Sequence, residues 1–292
     1  MQDVTAPEFA GIDGWLNAKP ISIKKLRGSV VLIDFWTYTC VNCVRTLPYV
    51  RKWHRKYSKK GLVVIGVHSP EFGFEKDQKN IRAALKKHGI RYPVALDNNM
   101  KTWEAYNNRF WPCKYIIDGK GRIRHVHAGE GAYAETELWI TKLLSEMGKP
   151  VNSRIERTER ASYNINTTLE IRCGRAQIGS DAEKHDIGKL YLGGQWVREK
   201  EFIESTGTDS ITLAFRAKSM NIVMAPKDGA ATAKILIDGK PLADNTGSDV
   251  RNSAVLIDRP DIYNIYNRKE FGMHELKITA DKPVRIFSFT FG

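Results

Sequence analysis

The chain has 292 residues, 42% of them hydrophobic and 10% aromatic, so it can build cores in two domains and wholesale disorder is excluded. The formal charge of +13 is uneven: residues 1–150 hold 25 of the 46 basic side chains but 14 of the 33 acidic ones. Four cysteines (Cys40, Cys43, Cys113 and Cys173) are too few for a disulfide-stapled secreted scaffold.

In chain order, the β-branched run Val30–Trp36 reads as a buried strand. A helix from about Cys40 to Lys56 follows, with Pro48 inside it. It carries Arg45, Arg51, Lys52, Arg55 and Lys56, with Lys59 and Lys60 in the next turn, and reads as a solvated face; no nucleic-acid motif accompanies it. Gly61–Val67 is a second strand, Asn80–His88 a helix stopped by Gly89, Tyr92–Leu96 a short strand and Met100–Tyr106 a helix. Lys114–Asp118 and Arg122–His127 flank a Gly-Lys-Gly turn as a hairpin, and Thr136–Met147 closes the pattern. This β-α-β-α…β-β-α order implies an α/β domain over residues 1–150, with parallel strands and a final antiparallel pair.

Gly148–Ser153 reads as a linker, and residues 151–292 as an all-β sandwich. Its strands include Ser210–Val223 with apolar alternation, Lys234–Ile237 running into an Asp238-Gly239 turn, Glu275–Ile278, and Val284–Phe291. No run of eighteen apolar residues exists, and Met1–Ala10 has no signal-peptide pattern. Those features fit a cytosolic protein, a trimmed mature form, or a soluble piece of something larger.

The Cys40-x-x-Cys43 pair has two common uses. A zinc site needs four convergent ligands, and Cys113, Cys173 and the strand pair His125/His127 do not supply them, so no metal or other cofactor is expected. Dithiol redox chemistry needs a strand–CxxC–helix context, which is present. Cys40 falls at the helix N-terminus, where unpaired N–H groups favour a thiolate, and is read as the attacking thiol. Cys43, one turn later, is the resolving thiol. Asp34, a carboxylate inside an apolar strand, is read as the acceptor of the Cys43 proton. Trp111-Pro112 precedes a strand, where a cis bond fits a tight entry beside the cysteines.

Asp34-Phe35-Trp36, the two cysteines, Pro48 and Pro112 together resemble the thioredoxin fold. The longer run Asp34–Cys43, with Gly66–Phe72 and Gly129–Tyr133, resembles the soluble C-terminal part of DipZ proteins, relatives of the TlpA-like reductases. The later segments Leu169-Glu170, Gly193–Trp196, Asp238-Gly239 and Phe289–Gly292 agree with it. The resemblance implies roles for Asp34, Cys40, Cys43 and Pro112, and a substrate groove formed by Pro112 with Trp111, Trp36 and Tyr38. It also implies protein disulfide substrates, a CcdA-type membrane electron donor, an extracytoplasmic location, and a carbohydrate-binding-module-like jelly roll in the second half.

Cys113, where the family has a small residue, is a possible third thiol; strand alternation puts it on the face away from the cysteines if Pro112 faces them. Cys173 reads as inert. Two other functions compete. One is a peroxiredoxin-like peroxidase, with Thr37 and Thr39 before Cys40. The other is a glycan- or partner-binding protein using an aromatic platform of Trp196, Tyr191, Tyr263 and Tyr266.

Overall fold

The computed structural model describes residues 4–151, 155, 164–180, 185–242 and 246–292. The chain divides into two compact units, Met1–Ala161 and Ser162–Gly292. Part of the expected linker, residues 152 and 153, lies outside the described residues.

The first unit runs β1 (Val4–Thr5), β2 (Gly14–Leu16), β3 (Val30–Trp36), α1 (Val41–Tyr57), β4 (Leu62–His68), α2 (Gln78–His88), β5 (Val94–Leu96), α3 (Lys101–Ala105), β6 (Cys113–Ile117), β7 (Arg122–Ala128) and α4 (Tyr133–Glu146). These strands form one seven-stranded sheet in the order β1-β7-β6-β3-β4-β5-β2. β3, β4 and β5 are parallel, as their helical crossovers require, and β6 and β7 close the sheet antiparallel. The thioredoxin-like α/β reading therefore holds. The short edge strands β1 and β2 were not foreseen.

Every residue of β3 is buried, because both faces of the sheet are covered. Val30, Leu32 and Trp36 face a core built with Leu47, Val50, Trp53 and Tyr57 of α1 and Ile140, Leu143 and Leu144 of α4. Val31, Ile33 and Phe35 face a second core with Tyr106, Cys113, Tyr115 and Ile117. Burying each such aliphatic side chain contributes roughly 1.5–3 kcal/mol, which anchors β3 in the centre of the sheet. α1 forms because Leu47, Val50, Trp53 and Tyr57 recur on one face, while its last turn carries His54, Arg55 and Lys56 at the negative end of the dipole. α2 is capped by Asp77, whose side chain accepts from Lys79 N at 2.8 Å, and ends at Gly89, whose φ of 61° suits glycine.

The second unit is all-β, as expected. It contains β8 (Ile171–Arg172), β9 (Leu190–Gly193), β10 (Trp196–Arg198), β11 (Ile203–Ser205), β12 (Ser210–Pro226), β13 (Ala231–Ile237), β14 (Lys240–Pro241), β15 (Ala254–Ile257), β16 (Asp261–Ala280) and β17 (Val284–Phe291). They belong to one connected antiparallel ladder around one core. β12 and β16 pair from end to end, with register shifts between Ala217 and Ser219 and between Met220 and Asn221. Beyond those shifts β12 exchanges β9 for β17 as its other neighbour. Asp238-Gly239 makes the foreseen hairpin turn with φ of 53° and 72°.

Candidate active site

Cys40 is the N-cap of α1, and its Sγ accepts a hydrogen bond from Cys43 N at 3.2 Å. It is partly exposed, whereas Cys43, one helical turn on, is buried at 1%. Both thiols are free. Burial is the main reason the Cys43 thiol is pushed well above its usual range; the hydrogen bond to Cys40, the Cys40 charge and the Asp34 charge act in the same direction. The pair is thus asymmetric: one sulfur reaches a partner, and the other keeps its proton until a base removes it.

Asp34 lies on the α1-facing side of β3, at 1% exposure. Neither carboxylate oxygen has a hydrogen-bond partner among the described residues. Burial raises its carboxyl from 3.8 to about 6, partly offset by Lys114. Such a group is largely ionised at pH 7, and it acts on Cys43 electrostatically, so the two lie within charge reach of each other. The placement fits a base for the resolving thiol.

The Trp111–Pro112 peptide bond is cis, and Pro112 O accepts from Gly129 N at 2.7 Å. Trp111 is partly buried and packs against the same core cluster as Cys40. Its Nε1 donates to Ser69 O at 2.9 Å, and its ring lies 4.2 Å from that of Trp103. Trp36 and Tyr38, expected in the groove, are core residues instead, at 0% and 1% exposure. Strand alternation puts Trp36 under α1, and the Tyr38 ring stacks on His68 at 5.8 Å. Neither can touch a docked substrate. Cys113 is buried among Ile33, Phe35 and Tyr115, on the face of the sheet opposite Cys43. Burial pushes its thiol up to about 11, so it makes no trio with the pair. Cys173 is wholly buried in the second unit, and its thiol is likewise raised by burial.

Three buried polar residues of this region were not singled out from the sequence. Glu75, at 0% exposure, holds the loop that delivers Cys40. Its Oε1 accepts from Thr39 Oγ1 at 2.5 Å and Thr39 N at 3.4 Å, and its Oε2 from Glu71 N at 2.5 Å and Phe72 N at 3.0 Å. Burial raises the Glu75 carboxyl, with those donors pulling the other way. His68 is wholly buried, its Nε2 3.3 Å from Thr37 Oγ1, and burial lowers it to about 3, so the ring is neutral. Lys114 is wholly buried at the ladder position opposite Asp34. Each sits among ordinary strand or loop residues, and a single sequence has no signal that turns such a side chain inward.

His125 stacks on Trp139 at 5.4 Å, and His127 Nε2 lies 3.3 Å from Glu130 O. The basic stripe of α1 is partly paired, through Lys56–Glu137 at 2.6 Å and Arg45–Glu130 at 3.7 Å. The aromatic platform is not formed. Tyr191, Tyr263 and Tyr266 are buried at 9%, 6% and 4%, with Tyr263 and Tyr266 in the β core and only Trp196 partly exposed. A register shift in β16 between Asn264 and Tyr266 brings both Tyr263 and Tyr266 into the core, whereas Tyr191, between the core-packed Leu190 and Leu192, lays its ring against His185 at 4.1 Å.

Residues 1–137 match the Redoxin family, and residues 158–292 match the family described as thioredoxin like C-terminal domain. The chain is 35% identical over 312 residues to the DipZ proteins of Mycobacterium bovis and Mycobacterium tuberculosis, an alignment covering 99% of this chain and 43% of theirs. It therefore spans less than half the length of those relatives. Its first half is 29% identical over 140 residues to the thiol-disulfide oxidoreductase YkuV of Bacillus subtilis, covering 48% of this chain and 94% of that one.

Proposed function

We propose that this chain, whose two halves match the Redoxin and thioredoxin like C-terminal domain families, is a DipZ-type thioredoxin-like protein that exchanges electrons with protein disulfides through Cys40 and Cys43. The observation that carries the reading is the asymmetric pair: a partly exposed Cys40 capping α1, with Cys43 buried behind it within charge reach of Asp34. The Cys40 thiolate attacks a substrate sulfur, forms a mixed disulfide and expels the first substrate thiolate. Cys43 gives its proton to the Asp34 carboxylate, and its thiolate attacks Cys40 Sγ. The bond from Cys40 to the substrate breaks, the second substrate thiolate leaves, and Cys40–Cys43 remains as a disulfide. Two electrons have passed from the dithiol to the substrate, so renewed turnover requires an external dithiol donor.

We assign that donor to a CcdA-type membrane protein, the direction to reduction and the setting to the extracytoplasmic side. These finer points rest on family likeness; no helix among the described residues is long and apolar enough to cross a membrane. Trp111 is read as the rim along which an extended substrate segment lies, with the buried cis Pro112 shaping the entry beneath it.

Insulin reduction driven by dithiothreitol tests the exchange. Cys40→Ser should abolish it, and Cys43→Ser should accumulate the mixed disulfide. Undiminished reduction by Cys40→Ser would end this reading, and thiol-dependent peroxide consumption exceeding disulfide turnover would move the protein to the peroxidases. The glutathione equilibrium of the pair decides the direction: a pair more reducing than the glutathione pool supports a reductase.

A further inference from the structure

A lysine in a strand normally carries its ammonium to water. Lys114 does not, for its side chain is wholly buried. In the antiparallel β3–β6 ladder it stands opposite Asp34, and in the β6–β7 ladder opposite His127. Directly opposed residues share a face of the sheet, with Cβ atoms ≈ 4.5–5.5 Å apart. The face is the one covered by α1, where Cys43 lies. On its other side Asp34 neighbours Gly66 of β4, which has no side chain. A Cβ there would come within 2.9 Å of Trp36 Nε1 and 3.2 Å of the Tyr92 ring, so no charged group fits. Among the described residues Lys114 is therefore the only charged side chain beside Asp34 in the adjoining strands. Among the described residues its Nζ donates one hydrogen bond, to Gly129 O at 3.4 Å, and is paired with no carboxylate.

We propose that Lys114 is a positioning residue for the exchange reaction: its ammonium keeps Asp34 ionised, and so able to take the Cys43 proton. The inference rests on the function proposed above. A buried carboxylate with no hydrogen bonds favours its neutral form, and a neutral Asp34 cannot accept a proton. The other groups facing Asp34 do not replace the charge. From α1 comes Cys43, from the segment before β5 Tyr92, and across the sheet Cys113; burial raises all three, which are uncharged at pH 7. From β7 comes His127, beyond Lys114, held neutral mainly by burial. The opposition of Lys114 to the burial of Asp34 agrees with this geometry.

The test is the pH profile of disulfide turnover by the full chain, with Asp34 titrated separately by the ¹³C shift of its carboxyl carbon. The variants are Lys114→Met, Lys114→Gln and Lys114→Arg. In the neutral variants the Asp34 titration and the rise of the rate with pH should both move up by a unit or more. With the wild-type midpoint at about 6, a one-unit rise cuts the ionised fraction at pH 6 from about one half to about one tenth, a roughly fivefold loss of rate that high pH recovers. Lys114→Arg should restore the profile. In an Asp34→Asn background, Lys114→Met should change the rate no further.

An unmoved Asp34 titration in a folded Lys114→Met or Lys114→Gln protein overturns the proposal, as does a uniform rate loss at every pH. The titration needs no turnover. A wild type without Cys40-dependent exchange would therefore refute the function while leaving the Lys114–Asp34 coupling to its own measurement.

Discussion

Replacing Asp34 by Asn removes a charge while keeping the shape of the side chain. The Asp34 carboxyl rises from 3.8 to about 6 on folding, roughly two units. At about 1.4 kcal/mol per unit, the ionised form costs the fold about 3 kcal/mol. The sign follows from proton uptake. The native state holds the Asp34 proton more tightly than the unfolded chain, so the penalty is fully present above the folded value. It fades as pH falls through 6 and is gone below 3.8. Asp34→Asn should therefore stabilise the first unit by up to about 3 kcal/mol at pH 7, with the difference closing by about pH 4. Urea unfolding under reducing conditions, followed by tryptophan fluorescence, measures this, since six of the seven tryptophans precede residue 150. The same variant should slow turnover, because the Cys43 proton loses its acceptor. A variant less stable than wild type at pH 7, or a stability difference that ignores pH, would refute the reasoning.

Glu75→Gln leaves one oxygen to serve donors that now use two. The first unit should lose about 2 kcal/mol, and native alkylation of Cys40 should change rate as its loop loosens; unchanged stability would remove Glu75 from the support of that loop. Cys113→Ala should keep turnover within about twofold and cost about 1 kcal/mol, read from the reductase assay and a urea titration, because the thiol lies across the sheet from Cys43. Loss of activity in that variant would mean that Cys113 takes part after all.

Much of the site was legible because its parts are local. Cys40 and Cys43 declare themselves by spacing, and Asp34 by a charge within an apolar strand. Alternation from Pro112 placed Cys113 on the far face. Reading failed where position depends on pairing partners distant in sequence. Trp36 and Tyr38 flank the cysteines, but packing draws them under α1 and onto His68. Lys114 becomes informative only when the β3–β6 register sets it opposite Asp34, a separation of eighty residues. β1 and β2, with two and three residues, are too short to display a period. In the second unit the charged stretch Arg268-Lys269-Glu270 hid that β16 is one strand of twenty residues.

The burial of three of the four thiols gives the chain its own reporters of opening. In the folded dithiol protein Cys40 alone is open to a labelling reagent. Cys43 and Cys113 sit on opposite faces of one sheet, and Cys173 in the core of the other unit. A reagent in excess therefore counts one fast thiol, and each later one marks the unlocking of a particular layer. The order in which the layers yield can be read without adding a probe to the molecule.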